Sequence, residues 1–346
     1  MYGVSRFLLL AFFSLASAAI LKADPLGLVL PTKNTAIFSS DPSKFYMYTN
    51  RNFEGVNSKP WEGGTYGFSR NGKRTSIGIV NTRLHEGIDI KPVSRDSSGN
   101  PLDSVRAISR GTVVYVNSTS SHSNYGKYIV VHHDWGDGPF FSLYAHLSSA
   151  SIKTGQKVNA GDTIAKMGYT GAGIDRTRAH VHVELNMLMS DRFQSWYDRH
   201  FTSKNNHGIF NGFNLSGLDI AALFKMHKAN PNISIPEFLA NHEEPYYKVG
   251  VPKNGKLDII RRYPWLGRNM NKALGAKSWE FTFARNGIPL SVSPSSKSLK
   301  YPAVTWVKSM QTNHSYMTVS RISGTGSSAS LTASGSRYIQ LISEGF

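Results

Sequence analysis

The stretch RAHVHVELNM, residues 178–187, sets His180 and His182 one residue apart. In an extended strand side chains alternate, so His180, His182 and Glu184 share one face and Val181, Val183 and Leu185 take the other. The two imidazoles then stand about 7 Å apart at Cα, and both can reach one centre. A second stretch, HEGIDI, supplies His85 and Asp89. A straight strand would hold these about 13 Å apart at Cα. Gly87 and two β-branched isoleucines argue against a helix, and the glycine permits a bend that brings the pair together. A third stretch, YAHLSS, ends an apolar run with His146. Three ligands of type His, His and Asp suit a catalytic zinc, which keeps its fourth position open to activate water. The chain has no cysteine, so any zinc site must use nitrogen and oxygen ligands. No H-E-x-x-H occurs, since HEGID and HEEPY both depart from it, which argues against the helical zincins.

Taken in order, HEGIDI, YAHL and HVHVE resemble the lysostaphin-type (LytM-like) zinc endopeptidases, which cleave the peptides of bacterial peptidoglycan. The resemblance extends through GTVVYV, YGKYIVVHHD and GQKVNAGDTIAKMGYTG, over about residues 76–190. It implies that His85, Asp89 and His182 hold one Zn2+ ion. It further implies that His146 and His180 are the catalytic pair. The family fold is a narrow groove over an antiparallel sheet. One departure is visible: family members commonly carry a small residue just before the H-x-H strand, where this chain reads GAGIDRTRAH. Arg176 and Arg178 there read first as an exposed basic loop, and alternatively as partners of a substrate carboxylate, because arginine binds carboxylates bidentately. Glu184, on the site-side face, reads equally as a partner for a ligating histidine or as a member of a surface ion pair. His132 and His133 are adjacent, point to opposite faces and are read as structural.

The elements that must position these groups are short β-like runs. TVVYV (112–116), KYIVVHH (127–133), FFSLYAHL (140–147), DTIAKMG (162–168) and HVHVEL (180–185) are rich in β-branched and aromatic residues and are divided by Gly, Asp and Asn turns. No amphipathic helical period interrupts them. The expected fold class is mainly β, an antiparallel groove with a C-terminal α+β extension. Residues 19–75 read as a wrapping N-terminal segment, 76–190 as the zinc metallopeptidase domain, and 191–346 as an extension of unassigned role. In that extension Ser216 and Asp219 precede Ile220, Leu223 and Phe224, a capped helix with an apolar stripe. Ser234 and Glu237 repeat the signal around Pro236. Trp279, Phe281 and Phe283 alternate as a strand, with Asn286–Gly287 as a hairpin turn. SGTGSSASLTASGS reads as a flexible or turn-rich stretch.

The bulk numbers agree with this organisation. A chain of 346 residues corresponds to about two domains and, at 40% hydrophobic, can bury a core without disulfides. Lys and Arg number 39 against 22 Asp and Glu, a net charge of +17. Such an excess favours a polyanionic surrounding. The basic residues are scattered and no nucleic-acid-binding signature is present, so an anionic cell wall fits better than nucleic acid. At the N-terminus, Arg6 precedes an apolar run from Phe7 to about Ala19, with Ala16 and Ala18 as an A-x-A cleavage site. Residues 1–18 therefore read as a signal peptide, too short for a membrane span. The expected product is exported: periplasmic, wall-associated or extracellular, with peptidoglycan as partner and no stable membrane span once the signal is removed. A competing reading is a non-catalytic wall-binding or regulatory module on the same fold, which would typically have lost metal ligands; all five positions are intact here.

Overall fold

The computed structural model describes residues 25–253 and 257–345. The signal-peptide stretch, 1–18, lies outside the described residues. The architecture is mainly β, with antiparallel sheets and a C-terminal α+β part. Its centre is a seven-stranded antiparallel sheet. The strands run in the order Lys157–Val158, Gly111–Asn117, Tyr128–Asp134, Pro139–Ala145 and Val181–Leu188. The far edge of Val181–Leu188 is shared: its first half pairs with Ile88–Ile90 and its second half with Leu215–Gly217. Gly/Asp turns separate these runs, and their valines, isoleucines and aromatics suit the pleated surface.

One strand explains how the sheet serves a site. Val181, Val183, Leu185 and Met187 are fully buried in the core. Burying each such side chain contributes roughly 1.5–3 kcal/mol, which fixes the strand's register. A slip of one residue would turn the histidines into the core and the valines out. The register that results sets His182 directly opposite Asp89 on one side and Ala145 on the other.

The N-terminal residues are built into this body. Leu26, Ile37, Phe45 and Tyr46 are buried in the same core. The amide of Met47 donates to the Asp89 carbonyl and that of Lys91 to the Phe45 carbonyl. Gly67–Thr75 and Gly78–His85 form a long hairpin, so position 76, where the sequence suggested the domain begins, falls in its turn. The C-terminal part holds a four-stranded antiparallel sheet, in the order Pro289–Ser295, Ser278–Phe283, Tyr247–Pro252 and Ala303–Val307. Phe281, Phe283 and Tyr338 from this part belong to the same apolar cluster as the histidine strand. None of the described helices is long and apolar enough to cross a membrane.

Two local readings differ from expectation. The helix Ile220–Ala229 is capped by Asp219, whose carboxylate accepts from the Ala222 amide. Ser216 instead lies in the strand Leu215–Gly217. The polar run 323–336 does not stay irregular: Thr332 caps a helix from Ala333 to Ser343. Its apolar stripe, Tyr338, Ile339, Leu341 and Ile342, lies beyond the polar run and packs into the core.

Candidate active site

The five expected residues meet in one groove of about 420 Å³. His182 stands on the strand Val181–Leu188 and Asp89 stands opposite it on Ile88–Ile90. His85 ends the hairpin strand Gly78–His85. A bend at Glu86–Gly87 then turns the chain so that His85 and Asp89 converge. Glycine at position 87 is required by proximity: a Cβ there would lie 2.4 Å from the Val183 carbonyl oxygen and 3.0 Å from Cε1 of His182. Gly87→Ala must therefore shift the strand Val181–Leu188. Overpacking of this kind costs about 1–3 kcal/mol. The expected result is a lower melting temperature together with weakened metal binding, read by thermal unfolding and by chelator competition. A variant with unchanged melting and unchanged metal affinity would show that the close approach is not felt.

His85, Asp89 and His182 are buried and offer donor atoms within 4.8 Å of one another. The Oδ1 of Asp89 is 2.8 Å from Nδ1 of His182 and 3.1 Å from Nε2 of His85, and those two nitrogens are 3.0 Å apart. Ligands about 2.0 Å from a tetrahedral zinc would lie about 3.3 Å from one another, so the three donors already have nearly the spacing of one face of such a site. Each of the three candidate donors is also fixed from behind. Nδ1 of His85 is 2.8 Å from the Thr65 carbonyl, so it carries the proton and leaves Nε2 as the donor. Nε2 of His182 is 2.8 Å from Oε1 of Glu184, which leaves Nδ1 as the donor. Glu184 is in turn held by the Tyr125 hydroxyl at 2.7 Å and the Asn186 amide at 2.8 Å. The second oxygen of Asp89 accepts from Arg70 at 2.6 Å. Imidazoles backed by a carbonyl or carboxylate, and a hydrogen-bonded carboxylate, are the usual outer contacts of metal ligands.

The electrostatics ask for a cation at the same place. Burial pushes His85 down to about 4, so its ring is neutral and its lone pair available. Burial opposes the charge of Asp89, but the facing imidazoles and hydrogen bonds from His180 and His182 hold its carboxyl well below the usual range. For His182 burial acts downward, yet the hydrogen bonds to Asp89 and Glu184 win and raise it to about 9. Two buried carboxylates thus hold one extra proton on the His182 ring, and a cation bound at the three converging atoms would take the place of the proton on Nδ1, freeing that nitrogen as a donor. The residues present fit a divalent metal ion.

His146 and His180 flank this cluster, with their rings 4.8 Å apart. His146 follows Ala145 with φ of 62°, a left-handed turn that non-glycine residues seldom adopt. The turn carries the ring out of the strand Pro139–Ala145 and into the groove. Its Nδ1 lies 2.9 Å from the Thr170 carbonyl, and Nδ1 of His180 lies 2.6 Å from the Arg178 carbonyl. Carbonyl oxygens only accept, so both Nδ1 atoms carry protons. In each ring Nε2 is then the nitrogen that takes up or releases a proton, and that of His180 is 3.4 Å from Oδ1 of Asp89. Burial and the neighbouring imidazoles push His146 well below the ordinary histidine value, so it is neutral near pH 7.

Other singled-out residues find other places. Arg176 donates to the Ser98 carbonyl, and Arg178 to the carbonyls of Tyr48 and Gly173. Glu184 is a buried partner of His182 rather than a surface charge. His133 is buried between the Arg110 carbonyl and the Ser142 hydroxyl, and His132 packs on Phe141. Arg70, Thr65 and Tyr125 escaped the sequence reading. They are ordinary residue types in polar loops or a hairpin, and only the tertiary fold brings them to the ligands.

The sequence model described as Peptidase family M23 matches residues 83–193. The Lipoprotein NlpD/LppB homolog of Pseudomonas aeruginosa is 34% identical over 103 residues, 30% of this chain and 30% of that protein. The chain thus spans under a third of the length of the curated relatives it matches. Among solved structures, the catalytic domain of the prophage-encoded M23 protein EnpA from Enterococcus faecalis is 28% identical, with 34% of this chain and 76% of that chain covered and a TM-score of 0.25. A zinc-containing peptidase from Vibrio cholerae is 23% identical, with 39% and 41% covered and a TM-score of 0.24. Within that matched segment His85, Asp89 and His182 lie on strands and His146 and His180 sit immediately beside strand ends, so residues 83–193 of this chain are similar to a peptidase M23 domain.

Proposed function

We propose that the chain is a zinc-dependent endopeptidase that hydrolyses the stem or cross-link peptides of peptidoglycan and works in the cell envelope. The observation that carries the reading is the combination of a three-donor His/Asp/His face with two further histidines whose Nδ1 atoms are committed to carbonyls. His85, Asp89 and His182 would hold the ion. Zinc held there would supply Lewis acidity, acidifying water and polarising the amide carbonyl. The remaining steps fall to the chain. One of His146 and His180 accepts the proton of the attacking water at Nε2; the other steadies the developing oxyanion or protonates the departing amine. Arg70, Thr65 and Glu184 keep the ligands oriented and move no proton in the reaction.

The substrate class rests on the family and on charge. The excess of 39 basic over 22 acidic residues draws the chain toward an anionic polymer through a screened attraction. The lipoprotein relatives and the expected signal peptide point to the envelope as the place of action. The integrity of all five side chains favours catalysis over a purely wall-binding role. Digestion of purified peptidoglycan tests this. The expected result is new free amino groups, shorter cross-linked fragments and no new reducing sugar ends, all abolished by a chelator. Glycan cleavage normally needs two carboxylates flanking the bond; of the three that line the groove Asp89 and Glu184 are committed to histidines, which leaves Glu86 without a second. New reducing ends without new amines, or an intact wall with zinc shown to be bound, would refute the reading.

A further inference from the structure

The hairpin Gly67–Thr75/Gly78–His85 forms one wall of the groove and sets Arg70 and Arg83 opposite one another. Like charges at facing positions of a sheet are destabilising, so each needs a reason to be there. Arg70 has one inside the protein, donating to Asp89 at 2.6 Å and to the Gly63 carbonyl at 2.7 Å. Arg178, also in the groove lining, is held by two backbone carbonyls. Arg83 lines the groove and is exposed, with no hydrogen-bond or ion-pair partner among the described residues. It stands two residues before His85 in the same strand. Its side chain therefore leaves the sheet on the same face as that of His85, from a Cα about 7 Å away.

We infer that Arg83 binds a free carboxylate of the peptide substrate, within about two residues of the bond that is cut. The inference rests on the peptidase reading above and names the substrate class more narrowly: a peptide carrying an uncapped carboxyl group close to the scissile amide. The planar guanidinium presents paired donors that match a carboxylate. An extended peptide advances about 3.3–3.6 Å per residue, so about 7 Å spans two residues. The arginines that sequence alone offered for this task, Arg176 and Arg178, are already spent on backbone carbonyls.

The test uses the full chain loaded with zinc. Its probes are a synthetic cross-linked stem-peptide dimer with free carboxylates and the same dimer with every carboxylate amidated. Binding is read by fluorescence anisotropy at low salt, which needs no turnover, and hydrolysis is read separately. For an exposed pair the wild-type protein should bind the free acid about fivefold more tightly than the amide. Arg83→Gln should bind both forms with the affinity of the amide, and Arg83→Lys should keep part of the preference. Equal wild-type affinities would overturn the inference. So would a preference that survives in Arg83→Gln, because the carboxylate would then be held by the metal or by another arginine. If the preference holds and follows Arg83 while neither dimer is cut, Arg83 is a carboxylate-binding residue and the peptidase reading falls, taking with it the placement beside a scissile bond. Cleavage of both dimers without preference reverses that outcome.

Discussion

Alanine at His85, Asp89 or His182 should leave the purified protein almost free of zinc. The wild type should hold about one ion per chain, and each variant less than about a tenth of that under the same chelator wash, because a three-ligand site has no spare ligand. The geometry makes the loss hard to compensate. The second nitrogen of His85 is occupied by the Thr65 carbonyl, that of His182 by Glu184, and the second oxygen of Asp89 by Arg70. No ligand can swing a second atom into a vacated place. His182→Ala also leaves Glu184 buried without its imidazole partner, so thermal unfolding must accompany the metal analysis. Asp89→Asn provides a variant of unchanged shape. It keeps a donor oxygen but loses the charge that balances the cation, so its zinc should be held less tightly while the fold survives. Full occupancy in all three alanine variants would sink the ligand assignment. Retention in the His182 variant alone would point to His180 as the true third ligand.

The histidine strand was the most legible part of the molecule, because alternation of histidine with valine leaves only one sensible face for each. His180, His182 and Glu184 on one side and three apolar residues on the other follow from period two and from the cost of turning imidazoles into a core. What alternation could not supply was register. That His182 sits opposite Asp89 depends on how Ile88–Ile90 docks, which is fixed by burial of Ile88 and Ile90 in a core built from residues distant in sequence. Gly87 was legible as a bend but for an incomplete reason: the decisive fact is the Val183 carbonyl pressed against it, a long-range contact. Arg70 lay beyond reach for the same cause. It lies in the stretch 19–75 that reads only as a wrapping segment, and its value appears only when the hairpin folds back over Asp89. At the C-terminus the helix Ala333–Ser343 was hidden because its first turn is Ala, Ser, Gly and Ser, poor helix formers apart from alanine. Tertiary burial of Tyr338, Leu341 and Ile342 decides it. Asp219 took the cap from Ser216 because Leu215–Gly217 is needed as an edge strand beside the histidine strand.

Replacing His146 or His180 with alanine should give the opposite pattern to the ligand variants: zinc retained, activity lost by on the order of 10²-fold or more, the usual effect of removing a proton-transfer group. The separation follows from how the two rings are anchored. Each is tied through Nδ1 to a backbone carbonyl, Thr170 for His146 and Arg178 for His180, and neither is needed to hold the donor atoms of His85, Asp89 and His182 in place. Removing either ring leaves that three-donor face intact. The loss should fall on kcat more than on KM, because proton transfer is made in the transition state and not in binding. His180 touches Asp89 at 3.4 Å, so its removal should also loosen zinc slightly, whereas His146 has no contact as close to a ligand oxygen. The groove is open, so free imidazole can enter the space an alanine leaves and should restore part of the rate in the variant whose ring carries the proton. Metal analysis, steady-state kinetics and imidazole titration on the two variants decide the matter together. A His146 or His180 variant that loses its metal as readily as His182→Ala would mean that catalyst and ligand had been exchanged, and activity near wild type in both would remove the histidine pair from the mechanism.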